Sequence, residues 1–180
     1  MLLSVIEKRQ SVREYIDKPV EREKIETCLE AARLAPSASN SQPWRFIVID
    51  EPELRRKVAD QLHDAVLKGN QFALEAPVLV AVIAEKPAVP VRVGSFLKNK
   101  PFNLIDIGIA AEHFCLQAVE EGLGTCMIGW FNEKAVRRIL GIPQGRRIPL
   151  VITLGYPAKS YVRAKVRKSI DETRTYNRYR

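Results

Sequence analysis

The chain has 180 residues, enough for one domain with a substantial core and too few for two ordinary ones. With 46% hydrophobic residues, 28% charged residues, 9 glycines and 11 prolines, it is not a fibrous, low-complexity or wholly disordered chain. The net charge of +8 is unevenly placed: from Lys159 onward eight cations stand against Asp171 and Glu172, which leaves +6 in the last 22 residues. Such a segment suits a nucleic-acid backbone, a small phosphate-bearing ligand or plain solvation, and composition leaves all three open.

The longest uninterrupted apolar stretch, Val78–Ala84, falls far short of the roughly 18 residues of a membrane span. The first residues lack a basic segment ahead of their apolar ones, so they do not read as a secretory signal, and the protein reads as cytoplasmic. Cys28, Cys115 and Cys126 are odd in number without a CxxC spacing, and neither His63 nor His113 stands in a ligand pattern. No disulfide framework or zinc site is expected, and the thiols read as small packing groups. There is no GxSxG motif, which leaves a hydrolase with little support.

In chain order, residues 20–35 form the first predicted helix: Ile25, Leu29 and Ala32 recur at helical spacing, Glu21 and Glu23 favour the amino end, and Pro36 stops it. A polar, turn-forming stretch leads into Trp44–Ile49, a strand by its β-branched and aromatic content. Pro52 opens a helix with Leu54, Val58, Leu62 and Ala65 on one stripe, closed by Gly69. Val78–Ala84, apolar throughout, reads as a central strand. Residues 86–101, with three prolines and Gly94, read as a loop or lid. Residues 103–121 form a helix apolar around most of its circumference, with Leu104, Gly108, Ala111, Cys115 and Ala118 on one stripe and Ile105, Ile109, Leu116 and Val119 on the next. It must be covered on nearly all sides, either within one subunit or by a second copy in a dimer. Gly122 and Gly124 end it, 125–130 is a short strand, Asn132 caps a helix through Leu140, and 149–155 is the last core strand. The alternation of strands and helices by itself suggests a parallel α/β sheet.

Four segments carry residues suited to chemistry: Arg9-Gln10-Ser11-Val12-Arg13, the run Pro36-Ser37-Ala38-Ser39-Asn40-Ser41-Gln42-Pro43-Trp44, the run Gly122-Leu123-Gly124-Thr125-Cys126-Met127-Ile128-Gly129, and the basic stretch around Lys165 and Arg167. Each alone also reads as solvated surface or turn. Together they supply guanidinium forks for phosphate, a polar loop whose amides can meet ring edges, and glycines that let backbone approach closely. That set suits a phosphorylated heteroaromatic cofactor.

On these residues the chain resembles the FMN-dependent nitroreductase family over essentially its whole length. The first segment matches the family's Arg-x-Ser-x-Arg/Lys pattern, with Gln10 where arginine is common, and the second matches Pro-Ser-x-x-Asn-x-Gln-Pro-Trp almost residue for residue. The third is similar to the family's Gly-Leu-Gly-x-x-x-x-Gly, and Gly155-Tyr156-Pro157 followed by Lys165-Val166-Arg167 is similar to its closing segment. The resemblance implies that Arg9, Lys165 and Arg167 hold the FMN phosphate, and that Gln10, Ser11 and Arg13 contact ribityl and pyrimidine positions. Pro36, Ser37, Ala38 and Asn40 would reach the flavin from the other subunit, with Gln42 supporting their loop, and backbone near Ile128 and Gly129 would face N5. It also implies one domain over 1–180 and an α+β fold with a mixed, largely antiparallel sheet flanked by helices. The carboxy-terminal segment would extend onto the partner of a homodimer. The expected activity is hydride transfer from NAD(P)H through FMN to nitroaromatic, quinone or similar small acceptors by a ping-pong mechanism, with neither a nucleic-acid nor a membrane partner. A non-catalytic flavin carrier or sensor, and a basic nucleic-acid-binding protein, are the alternatives. No acid/base dyad, catalytic side chain or metal ligand is expected, because the flavin supplies the redox chemistry.

Overall fold

The centre of the molecule is a four-stranded sheet, described here from a computed structural model that covers residues 1–63 and 69–179. The strands are β1 (Trp44–Ile49), β2 (Val78–Ala84), β3 (Gly124–Ile128) and β4 (Arg147–Gly155), in the order β1-β2-β4-β3, and every neighbouring pair is antiparallel. The parallel sheet suggested by alternation is therefore not what forms, and the α+β arrangement is. The only parallel pairing recorded among the described residues is the isolated bridge between Ser11 and Thr125.

β2 is apolar throughout because it is covered on both faces. Leu79, Ala81 and Ile83 point into one cluster with Val58, Leu62, Phe72 and Val136, whereas Val78, Val80 and Val82 point into another with Ile25, Cys28, Phe114 and Ala118. The first cluster is roofed by α3 (Pro52–Ala59) and α6 (Glu133–Ile139), and the second by α2 (Arg22–Arg33) and α5 (Phe102–Glu120). Glu51 caps α3 by accepting from Glu53 N at 2.9 Å and Leu54 N at 2.6 Å, and Asn132 caps α6 by accepting from Ala135 N at 3.1 Å. The expected extension of the α3 stripe to Ala65 lies outside the described residues.

Around this frame lie α1 (Leu2–Lys8), α4 (Val89–Lys98) and α7 (Ile170–Thr173). The stretch expected as a loop or lid is thus largely the helix α4. Its Pro90 sits in the first turn, where a missing N–H costs nothing, and Asn99 ends it in a left-handed conformation at φ 48°. The long α5 buries Ile107, Ala110, Ala111, Phe114, Cys115 and Ala118 against α2 and the sheet. Its other apolar side is left open: Leu104 is 48% and Ile105 53% exposed. Ile109, Leu116 and Val119 are half-buried, so cover within one subunit is least complete at the amino end of α5.

The three thiols are free and buried. Burial pushes Cys28 and Cys115 up to about 12 and raises Cys126 as well, so all three stay protonated at neutral pH and serve as packing groups. Among the described residues, no helix is long and apolar enough to cross a membrane, and no group of His, Cys, Asp and Glu is arranged to hold a metal ion.

Candidate functional site

Residues 9–16 form a strap across the edge of β3. Val12 N donates to Thr125 O at 2.8 Å, Ile16 N donates to Tyr156 O at 3.0 Å, and Ala158 N donates to Glu14 O at 2.9 Å. Two glycines opposite each other in the sheet, Gly124 and Gly155, make this approach possible. A Cβ on Gly124 would fall 2.5 Å from Val12 Cγ2, and one on Gly155 would fall 2.5 Å from Pro77 Cδ and 2.9 Å from Tyr15 Cδ1. Tyr15 fixes the strap from below: its hydroxyl donates to Val12 O at 2.9 Å and lies 2.6 Å from the Thr153 hydroxyl. Burial raises the Tyr15 phenol well above its ordinary range, so it remains a neutral structural post.

Beyond Tyr156 the chain turns back along the strap. Lys159 pairs with Glu14 at 2.6 Å, Gln10 Nε2 donates to Tyr161 O at 3.0 Å, and Lys165 Nζ donates to Arg9 O. Between strap and returning segment lies a cleft of about 260 Å³ lined by Arg9, Gln10, Ser11, Arg13, Arg163, Ala164, Lys165, Val166 and Arg167. Five of these residues are cations and none is an acid. Partial burial and the charges of Arg9 and Arg167 depress the Lys165 pKa, as expected of cations gathered without an anion. Arg9 is tethered from outside the cleft by Glu112 of α5 at 3.3 Å. Arg13 lies with its guanidinium carbon 5.8 Å from the Phe72 ring centroid.

The structure thus brings Arg9, Gln10, Ser11, Arg13, Lys165 and Arg167 together from opposite regions of the chain. Pro36, Ser37, Ala38, Asn40 and Gln42 do not line this cleft in their own subunit. Their loop rests instead on α5 and α4. Ala38 N donates to both carboxylate oxygens of Asp106 at 3.2 Å, and Ala88 N, at the start of α4, donates to Ser41 Oγ at 2.8 Å. Ser39, Asn40 and Gln42 all have positive φ, at 50°, 50° and 44°. Internal bonds hold this costly shape: Gln42 N donates to Ser37 Oγ at 2.9 Å, and Gln42 Nε2 donates to Asn40 Oδ1 at 3.1 Å. Ile128 closes β3 with its side chain in the core. Gly129 just beyond is exposed, and a Cβ there would meet nothing nearer than Leu150 Cδ2 at 3.7 Å.

Sequence reasoning missed two participants. Arg163 lines the cleft, and its signal was present: Arg163, Lys165 and Arg167 alternate in an extended segment and so share one side. Asp106 is a charged residue only 4% exposed, set among apolar residues in the first half of α5, and that mismatch was its cue. Asn70 donates to Leu62 O at 2.9 Å and to Trp130 O at 3.3 Å, which secures the turn after Gly129.

An antiparallel α+β sheet with a cation-lined cleft at its edge frames the comparison with known proteins. The sequence profile of the Nitroreductase family matches residues 6–156. A protein of Archaeoglobus fulgidus, provisionally named an NADH dehydrogenase/NAD(P)H nitroreductase, is 33% identical over 161 residues, covering 86% of this chain and 84% of its own. A nitroreductase family protein of Clostridium novyi NT superposes with a TM-score of 0.78 at 31% identity, over 89% of this chain and 87% of that one. The FMN-dependent nitroreductase of Clostridium difficile R20291 superposes with a TM-score of 0.81 at 28% identity, over 98% and 99%. The chain belongs to the nitroreductase family and is an oxidoreductase.

Proposed function

We propose that this chain is an NAD(P)H-dependent FMN oxidoreductase reducing nitroaromatic, quinone or similar small acceptors, with residues 1–180 acting as one cofactor-binding domain. The observation that carries the reading is the five-cation cleft without a carboxylate in its lining. A phosphate monoester brings about −1.5 to −2 charges at neutral pH, and its bonds to Arg and Lys are roughly twice as strong as neutral ones. The donor set fits that group. Arg9, Lys165 and Arg167 hold the phosphate, while Gln10, Ser11 and Arg13 lie along the strap where ribityl and pyrimidine atoms belong. Bound FMN supplies reversible two-electron chemistry.

The chain positions and stabilises. Arg13 offsets negative charge that develops on the pyrimidine side upon reduction. Backbone at Ile128 and Gly129 borders the reacting edge, with no side chain at Gly129 to block approach. In a homodimer, Pro36, Ser37, Ala38 and Asn40 of one subunit complete the site of the other, with Gln42 bracing their loop, while the segment beyond Tyr156, expected to extend onto the partner, lies on its own subunit's strap as far as Arg167. The shape of that loop supports this: positive φ at three non-glycine residues is strain that an isolated surface loop has no reason to keep. Donor and acceptor take turns on one open face, which gives ping-pong kinetics; parallel initial-rate lines are expected, and intersecting lines would contradict it.

The test is the visible spectrum of the purified protein. A yellow preparation that releases FMN, bleaches anaerobically with NADH or NADPH and regains its colour with a nitro compound is the expected result, and the recovery separates an enzyme from a carrier. A colourless protein that fails to take up added FMN overturns the proposal.

A further inference from the structure

Several hydrogen bonds between strap and returning segment gather on a pair with no part in the phosphate assignment. Gln10 uses both ends of its side-chain amide on the segment: Nε2 donates to Tyr161 O at 3.0 Å, and Oε1 accepts from Arg163 N and from Arg163 Nε, each at 3.2 Å. Arg163 Nη2 donates in turn to Ser11 O at 2.6 Å. Segment residues 161–179 are exposed throughout, so hydrophobic burial does not hold them in place. The cations they carry, moreover, repel Arg9 and one another. A neutral side chain at position 10 that both donates and accepts is what the geometry requires there, since a cation would face the Arg163 guanidinium without a counter-charge.

From this we propose that Gln10 and Arg163 form a latch that seats the returning segment on the strap, which makes Arg163 a positioning residue for Lys165 and Arg167. The inference rests on the FMN reading for its functional consequence and on hydrogen bonding alone for its structural one. Removing the Arg163 side of the latch loosens the segment that carries the two phosphate-binding cations, so it costs phosphate recognition and spares contacts to the ring.

Two readouts separate the latch from the flavin assignment. In the ligand-free protein, amide exchange of residue 163 and the NMR shifts of residues 161–167 report the segment; in parallel, fluorescence titrations compare FMN with riboflavin, which lacks the phosphate. Arg163→Ala and Gln10→Arg are each expected to speed exchange and to weaken FMN tenfold or more; in Arg163→Ala, which leaves the ribityl and pyrimidine contacts in place, riboflavin affinity should change less than about twofold. The exchanged pair Gln10→Arg with Arg163→Gln restores donor–acceptor complementarity and should recover most of both losses. Unchanged exchange in Gln10→Arg, or tighter FMN binding from its added charge, would overturn the latch. So would an equal loss of FMN and riboflavin in Arg163→Ala, which marks general damage. A segment that loosens as expected in a protein whose parent binds neither flavin would leave the latch standing and sink the cofactor assignment instead.

Discussion

Arg167 offers the most direct probe of the cleft, because it sits at the cleft wall and its one recorded side-chain bond is local, to Val166 O at 2.8 Å. Arg167→Ala removes a charge-assisted partner worth about 1.5–3 kcal/mol, so the FMN dissociation constant is expected to rise tenfold to a hundredfold or more in a fluorescence titration. An unchanged constant would remove Arg167 from the site. Lys165 adds a pH dependence whose sign follows from its depressed pKa. A dianionic phosphate stabilises the charged amine, so binding takes up a proton once the free amine begins to lose its own. FMN affinity should therefore decline as pH rises, starting below the ordinary lysine range, and Lys165→Arg should flatten that decline. Affinity that holds constant up to the ordinary lysine range would place Lys165 away from the phosphate.

At the scale of elements, the strap depends on what β3 and β4 lack. Gly124→Ala drives a methyl into Val12, so the strap must shift; a loss of about 1–3 kcal/mol in thermal or denaturant unfolding is expected, accompanied by weaker FMN retention. Retained stability together with normal flavin binding would mean that the strap is free to move. Asp106 makes the opposite kind of contribution, as an acceptor for one half-buried N–H. Asp106→Ala leaves Ala38 N without it and should destabilise by about 1–3 kcal/mol, whereas Asp106→Asn keeps an acceptor and should retain most of the stability.

These elements differ in how far the sequence reveals them. Trp44–Ile49 and Val78–Ala84 are readable to the residue, since each is a dense β-branched run set off by proline or by charge. α1 buries only Val5 and so writes no stripe into the sequence. α4 is hidden because Pro90 reads as a breaker until its position in the first turn is known. Strand direction is illegible for a different reason: whether β2 and β4 run antiparallel is decided by packing between distant segments, which local periodicity does not record. The site divides the same way. Its cations are visible in composition, yet the alternation that unites Arg163 with Lys165 and Arg167 acquires meaning only once that segment is seen to be extended. The assignment of Pro36, Ser37, Ala38, Asn40 and Gln42 to another subunit's site rests on family resemblance and on the loop's strain.

For the whole molecule, the open side of α5 and the exposed Leu2 and Leu3 of α1, 69% and 64% accessible, are surfaces that a second copy would cover. Sedimentation should give a dimer. On the proposed shared site Asn40 would join that assembly to the cofactor, so Asn40→Ala is expected to weaken both, while Asn40→Gly, which keeps positive φ easy, separates the lost amide from backbone strain. Mixed dimers give the sharper test. A chain carrying Arg167→Ala combined with one carrying Asn40→Ala leaves one of the two sites with both residues intact. Activity should reappear on mixing two inactive variants, and its failure to reappear would place loop and cleft in the same subunit's site.

Arg9 and Lys165 are 156 positions apart, yet they meet in one cleft. A ribosome that has delivered the strap must still translate nearly all of the sheet and helices before the opposing wall exists. If the cleft holds the coenzyme as proposed, loading must wait until the chain is all but complete, and prematurely terminated products would emerge empty-handed.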